Sequence, residues 1–531
     1  MSCTPALHAV RRRGALCALV LAVASLAALQ LCGCAAAPAQ PGPAAGAAGN
    51  EVLWLERITY GLTTQTLTDY RQQGRGAFLA RQLQDAAGAL NADDRLPPEI
   101  AAQIDSLEIT HLDPVQTLAR VSAEYRRIRD LPDGDAREQA RSSLNEEGNR
   151  YVYQARRREL LRAIYSPDQL REQLAAFWLN HFSVFEYKGQ VRWLAGDYAE
   201  HAIRPHVLGR FRDLVMSTLT HPAMLQYLDN AQNAAGHVNE NYARELMELH
   251  TLGVDGGYTQ QDVQNLARIL TGVGVYTGGE PPRLRREWQG LYRRTGAFEF
   301  NPARHDFGDK ILLGRRIEAR GFAEVEQAVD LLVRSPACAR FISRQLAVYF
   351  VSDTPPAALV EQMAQRFRAT DGDLAAVMTT LLNSSEFAAS LGAKFKDPRQ
   401  YVVSSLRLAY DGRPIANTHP PINWLASMGE AQFGRQTPDG YPDAETGWAS
   451  SGQMARRFEI ARAIGSGSAG LFEPEDGSAP TASGFPQIAR RIYFEALEPL
   501  LSASTRQALD RANSQQEWNT FLLSSPEFNA R

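Results

Sequence analysis

Apolar residues recurring at helical spacing set the narrowest limit on what this chain can fold into. Leu170, Leu174, Phe177, Trp178, His181 and Phe185 fall at i, i+4, i+7, i+8, i+11 and i+15, one face of an α-helix. Ser166-Pro167-Asp168-Gln169 just ahead reads as a helix start. Ser166 is the expected cap, Pro167 fits the first turn, and Gln169 would complete a capping box. The same periodicity dominates from Leu53 to Leu270. Pro114 to Ile164 is charged and helix-compatible with one turn, Pro132-Asp133-Gly134, so a long exposed helical hairpin is expected. Thr259 to Asp262 reads as another cap, followed by Val263, Leu266, Ala267 and Leu270.

The segment 278–314 breaks this pattern. It holds Gly and Pro, a run of arginines between Arg283 and Arg294, and an alternating Phe298-Glu299-Phe300. A loop with a small β-hairpin is expected there. Its arginines have no phosphate-cradle spacing, so a solvated loop is favoured over an anion site. Helices resume from Ala323 to Leu391. A Pro/Gly-rich linking region covers Asp411 to Trp448, and a last helical section follows from Gln453. The expected fold is mainly α: a large multi-helix globular protein with a small β-hairpin and loop insertion. Its helical domain would span 51–464, with a flexible loop at 465–487 and a C-terminal helical segment at 488–531.

The first residues read as an address. Arg11, Arg12 and Arg13 precede an apolar run from Ala15 to Leu31 that is too short for a good membrane span. The run ends Leu31-Cys32-Gly33-Cys34, which resembles a lipobox with Cys34 as the lipidated residue. Residues 1–33 are therefore expected to be a lipoprotein-type signal peptide, although Ala35, Ala36 and Ala37 also suit ordinary cleavage. Residues 34–50, almost all Ala, Pro and Gly, have nothing to bury and read as a disordered tether. An exported protein, periplasmic or in the outer membrane and held there by lipid, is the expectation.

Composition narrows the function. The net charge of −3 becomes more negative once the three signal arginines leave, which argues against nucleic acid as a general partner. Four of the five cysteines lie in the signal region. Only Cys338 remains in the folded part, so no internal disulfide is available there. Its apolar surroundings, Pro336-Ala337-Cys338-Ala339-Arg340-Phe341-Ile342, suggest a buried thiol rather than a nucleophile.

The most informative stretch runs from Asn239 to His250. Placed on an α-helix, Val238, Tyr242, Leu246, Leu249 and Leu252 form one apolar stripe. Glu245 falls inside it, Asn241 and Glu248 border one side, and Asn239 and His250 the other. A carboxylate aimed at a core is costly unless paired, protonated or metal-bound. Two readings follow. In one, Glu245, Glu248 and His181 hold a divalent metal, and Glu245 or the loop residues His305 and Asp306 do acid/base work. In the other, Glu245 pairs with an arginine, His181 is a hydrogen-bonded core histidine, and Arg244 pairs with Glu240 or Glu248 on the surface. No H-E-x-x-H, G-x-S-x-G, Walker loop or Glu-x-x-His pair is present.

These motifs also carry a resemblance. Phe177-Trp178-Leu179-Asn180-His181-Phe182, His206-Val207-Leu208-Gly209-Arg210-Phe211 and His221-Pro222-Ala223-Met224-Leu225 are the first. Then come Asn239-Glu240-Asn241-Tyr242-Ala243-Arg244-Glu245, Ala267-Arg268-Ile269-Leu270-Thr271-Gly272, and His305-Asp306 ahead of Lys310. In order and spacing they resemble the bacterial family called domain of unknown function 1800, from Arg57 to about Ile464. Two departures are visible: Val273 where the family usually carries tryptophan, and Ser335-Pro336 where it often has His-Pro. The resemblance implies an exported helical protein and a structural polar motif of Asn239, Asn241, Arg244 and Arg268. It also implies a secreted neighbour similar to alkaline phosphatases and sulfatases. It implies no activity. Two functions therefore stand: an accessory or binding scaffold of the envelope, or a metal-assisted hydrolase built on the Glu/His cluster.

Overall fold

Several helices start at a hydrogen-bond acceptor followed by proline. Asp113 Oδ1 accepts from the Val115 and Gln116 N–H groups ahead of the helix Pro114–Asp130. His221, Ser335 and Asp397 do the same for Pro222–Tyr227, Pro336–Phe350 and Pro398–Tyr410. The acceptor satisfies an amide left free at the helix start, and proline has no N–H to leave free there. In the computed structural model, residues 47–84, 95–280, 282–475, 477–478 and 485–531 are described. They form a mainly α fold with a few short antiparallel strands. No helix among them is long and apolar enough to cross a membrane.

The charged hairpin is present as Pro114–Asp130 and Asp135–Tyr165. It is exposed only in part, because the second helix enters the core from Arg158 to Tyr165. There its charges pair with those of neighbouring segments. Arg162 meets Glu200 at 2.6 Å, and Glu159 meets Arg204 at 3.3 Å; Arg204 also grips Glu172 through two bonds of 2.9 and 2.6 Å. The capping box of Thr259 and Asp262 opens the helix Gln260–Ile269. Cys338 is buried.

Other expectations need correction. Ser166 does not cap the helix Gln169–His181 and no capping box forms there. Ser166 ends the preceding helix, and Gln169 turns its amide back to the Ala163 and Ser166 carbonyls. The signal peptide and most of the tether lie outside the described residues. The tether's last four, 47–50, belong to the helix Ala47–Ile58, as alanine's helix propensity allows. The insertion is wider than 278–314. Val273–Val275 and Arg293–Thr295 flank Phe298–Phe300 in an antiparallel three-stranded sheet, and Ile311–Leu312 pairs with Arg315–Arg316. The helix Ser451–Ser466 runs across the boundary placed at 464. The segment beyond 488 folds back onto the core, where Arg531 is almost wholly buried.

Arg57 joins these parts. Its guanidinium is buried and donates to the Phe350 carbonyl (2.7 Å), to Ser390 Oγ (2.9 Å), and to the Ser390 and Arg531 carbonyls. Arg57→Met keeps the apolar stem and removes the donors. It should lower the unfolding free energy by roughly 3 kcal/mol or more, at about 1–3 kcal/mol for each stranded carbonyl. Urea denaturation measures this; a loss below about 1 kcal/mol would mean that water takes over the guanidinium's role.

Candidate functional site

The sequence places the chemistry on 239–250, and the structure changes that segment's register. The helix Asn241–Glu245 passes into a wider π-helical turn, Leu246–Thr251, in which the Leu252 N–H donates to the Met247 carbonyl at 2.8 Å. The wider turn rotates the later side chains relative to an α-helix. His250, expected at the stripe's edge, is fully buried. Val238, expected in the stripe, is 42% exposed.

The predicted residues have separate surroundings. His181 bonds through Nε2 to the His250 carbonyl (3.1 Å) and packs among Phe177, Trp178, Phe182 and Phe341. Glu245 and Glu248 are half-buried. Burial, then Glu248, then the more distant Asp439 raise the proton affinity of Glu245 against the pull of Arg244. Arg244 itself bonds Glu240 at 3.1 Å. His305 is buried in a different network: Nδ1 meets the Thr271 carbonyl (2.8 Å) and Nε2 meets Glu324 (3.1 Å), which also takes Lys310 (2.7 Å). Asp306 is clamped by Arg268, whose hydrogen bonds hold its carboxyl down at about 2. Asn239 Oδ1 accepts from the Asn241 N–H, while the Asn239 N–H donates to Asn233. Among the described residues, no three His, Cys, Asp or Glu side chains form a group able to hold a metal ion.

A second site was not legible. A cavity of about 60 Å³ lies between the helix Gln169–His181, the start of Pro398–Tyr410, and residues 425–443. Phe177, Tyr349, Leu425, Phe433 and Tyr441 form its apolar wall; Asp397, Glu430 and Asp443 bring carboxylates to it. Asp397 Oδ1 accepts from the Gln400 N–H (2.6 Å) and Glu430 Oε2 from the Arg399 N–H (2.8 Å). Burial, then Asp397, push Asp443 up to about 7, while Lys394 and Arg531 act the other way. Burial and Asp397 likewise raise Glu430. Asn180 clamps the loop by accepting from the Tyr441 N–H (2.7 Å) and donating to its carbonyl (2.9 Å). Gly440 permits that approach: its φ is +71°, and a Cβ there would sit 2.5 Å from the Asn180 carbonyl. Phe433 also has positive φ, a strained backbone of the kind that clusters at functional sites. The sequence signal was present in Asp397-Pro398, in a segment given no element, and in Tyr441-Pro442-Asp443, within the stretch that read as a linker.

Residues 53–530 match the model of a family described as "Protein of unknown function (DUF1800)". No curated protein and no solved structure matches the chain.

Two expectations follow from the polar segment. Burial brings His181 down to about 4, and burial with His181 alongside brings His250 to about 3. An unfolded histidine takes up its proton near pH 6.5, so this stability is present above about 6.5 and is lost as the pH falls toward 4. His250→Phe removes one of these groups. Between about pH 6 and 4 its stability should fall less steeply than the parent's, by up to ~1.4 kcal/mol per pH unit; equal slopes would mean that His250 is hydrated. Glu245→Gln relieves like-charge crowding, so it should fold and stay within about 1 kcal/mol of the parent at pH 7. Thermal melts would detect the contrary result, a collapse that makes Glu245 a structural anchor.

Proposed function

The chain belongs to the DUF1800 family of proteins of unknown function, and on that premise we propose that it is an exported, lipid-anchored helical protein of the bacterial envelope that works by binding. It serves as an accessory scaffold, and the cavity beside Asn180 is where it takes its ligand. One observation carries this reading. Three carboxylates, Asp397, Glu430 and Asp443, line one cavity with a largely apolar wall, and among the described residues none of the three forms an ion pair. Concave, mostly apolar walls with a few placed polar groups are what small-molecule sites share. The metal-assisted alternative is weaker. It needs His181, Glu245, Glu248 and His305 to converge, and each set has partners of its own.

The anchor is tested with the full chain expressed in bacteria. Parent protein should partition into the detergent phase and carry acyl mass at Cys34, and Cys34→Ala should move to the aqueous phase. Detergent partitioning retained in Cys34→Ala would refute the lipid anchor. Binding is tested by thermal melts with small molecules extracted from envelopes. Stabilisation of the parent that disappears in Glu430→Gln/Asp443→Asn supports the reading; a parent unmoved by every fraction overturns it.

A further inference from the structure

We propose that the cavity takes an organic ammonium ion, a protonated amine carried on a ring or other apolar body. This rests on the cavity being the binding site. Nearby cations have other partners. Arg399 donates to Tyr60 Oη (3.1 Å), to Gln432 Oε1 (3.1 Å) and to the Glu159 carbonyl (3.4 Å). Lys394 holds Asp353 and the Asp443 backbone carbonyl, and Lys396 meets Glu56. The Arg531 guanidinium donates to Gln173 Oε1 (2.7 Å) and the Tyr349 carbonyl (3.0 Å). Among the described residues, no Lys, Arg or His pairs with Asp397, Glu430 or Asp443, and the Asp443 carboxylate accepts no hydrogen bond. Asp397, Glu430 and Asp443 are each part-buried, and all three line the cavity. The buried Gln432 Nε2 has no acceptor either.

An ammonium group complements this arrangement. It brings donors in several directions to carboxylate oxygens that lack them, and it sets a positive charge beside three acids that have no ion-pair partner. The faces of Tyr349, Tyr441, Phe177 and Phe433 suit a cation and its apolar body. A divalent metal would need oxygen ligands closing on one point, and no such group exists among the described residues.

The occupant is linked to protons. Asp443 faces Asp397, Glu430, Asp353, Lys394 and Arg531, with Arg399, Tyr349 and Tyr441 around the same cavity. Below about pH 7 its carboxyl is mostly protonated. A bound ammonium favours the ionised form, so affinity should rise about tenfold from pH 6 to pH 8.

The experiment is calorimetric titration of the full chain in detergent with cyclohexylamine and benzylamine, against their uncharged counterparts cyclohexanol and benzyl alcohol. At least one amine is expected to bind at pH 8 and to lose about tenfold at pH 6, while the counterparts do not bind. Asp443→Asn, checked for folding by circular dichroism, should weaken binding at least tenfold and flatten the pH dependence. Glu430→Gln, on another segment, should also weaken it. Equal binding of amine and counterpart, or amine binding unchanged in both variants, overturns the ammonium assignment. If envelope extract stabilises the parent but neither amine binds, the ammonium class fails and the binding reading stands. If extract and amines are both without effect, both fail.

Discussion

A guanidinium sealed in the core has to be met by acceptors, and around Arg57 those acceptors are backbone carbonyls from distant parts of the chain. The carbonyls of Phe350, Ser390 and Arg531 all turn to it. The helix Ala47–Ile58 thereby fixes the end of Pro336–Phe350, the end of Ser385–Ala389 and the last residue. The order continues outward. Arg531, held through its carbonyl, donates to Gln173 and to the Tyr349 carbonyl, while Gln400 donates to both Gln173 and Tyr349 Oη. Gln173 lies on the helix that supplies Phe177 and Asn180 to the cavity, and Gln400 on the helix that Asp397 caps. The site is thus positioned by a polar lattice that starts at Arg57.

The contrast in how the protein treats charge gives the cavity its meaning. Arg204 is bonded twice to Glu172, Glu324 is shared by His305 and Lys310, and Asp306 is clamped by Arg268. In each, the cost of removing charge from water is offset by good geometry. Asp443 and Glu430, part-buried at the cavity, have no such ion-pair partner. Local breaks of a rule followed elsewhere in the same fold are where function is most often found. His181 and His250 solve the burial problem differently, by staying neutral.

Much of the scaffold was legible, and for local reasons. The helical hairpin, the Thr259–Asp262 capping box, the buried Cys338 and the strand at Phe298–Phe300 depend on neighbours a few residues apart. Errors came where a competing local contact outbid the signal that was read. Ser166 is committed to the end of the preceding helix, and Gln169 turns back to carbonyls there. The π-helical turn at Leu246–Thr251 shifted His250 into the core, while Val238 precedes the helix start at Asn241 and so never joins its stripe.

The sequence by itself determined the class of this protein. Periodicity demands helices, the cysteine positions leave the folded part without a disulfide, and ordered motifs identify the family. Tertiary structure alone decided which polar residues meet. Glu245, His181 and His305 look alike as candidates in the chain and go to separate neighbourhoods. Asp397, Glu430 and Asp443, unremarked in the chain, arrive at one cavity. The reason is physical: periodicity encodes which face of a segment is buried, whereas electrostatic environment depends on which buried faces meet, and that is set by packing between segments hundreds of residues apart.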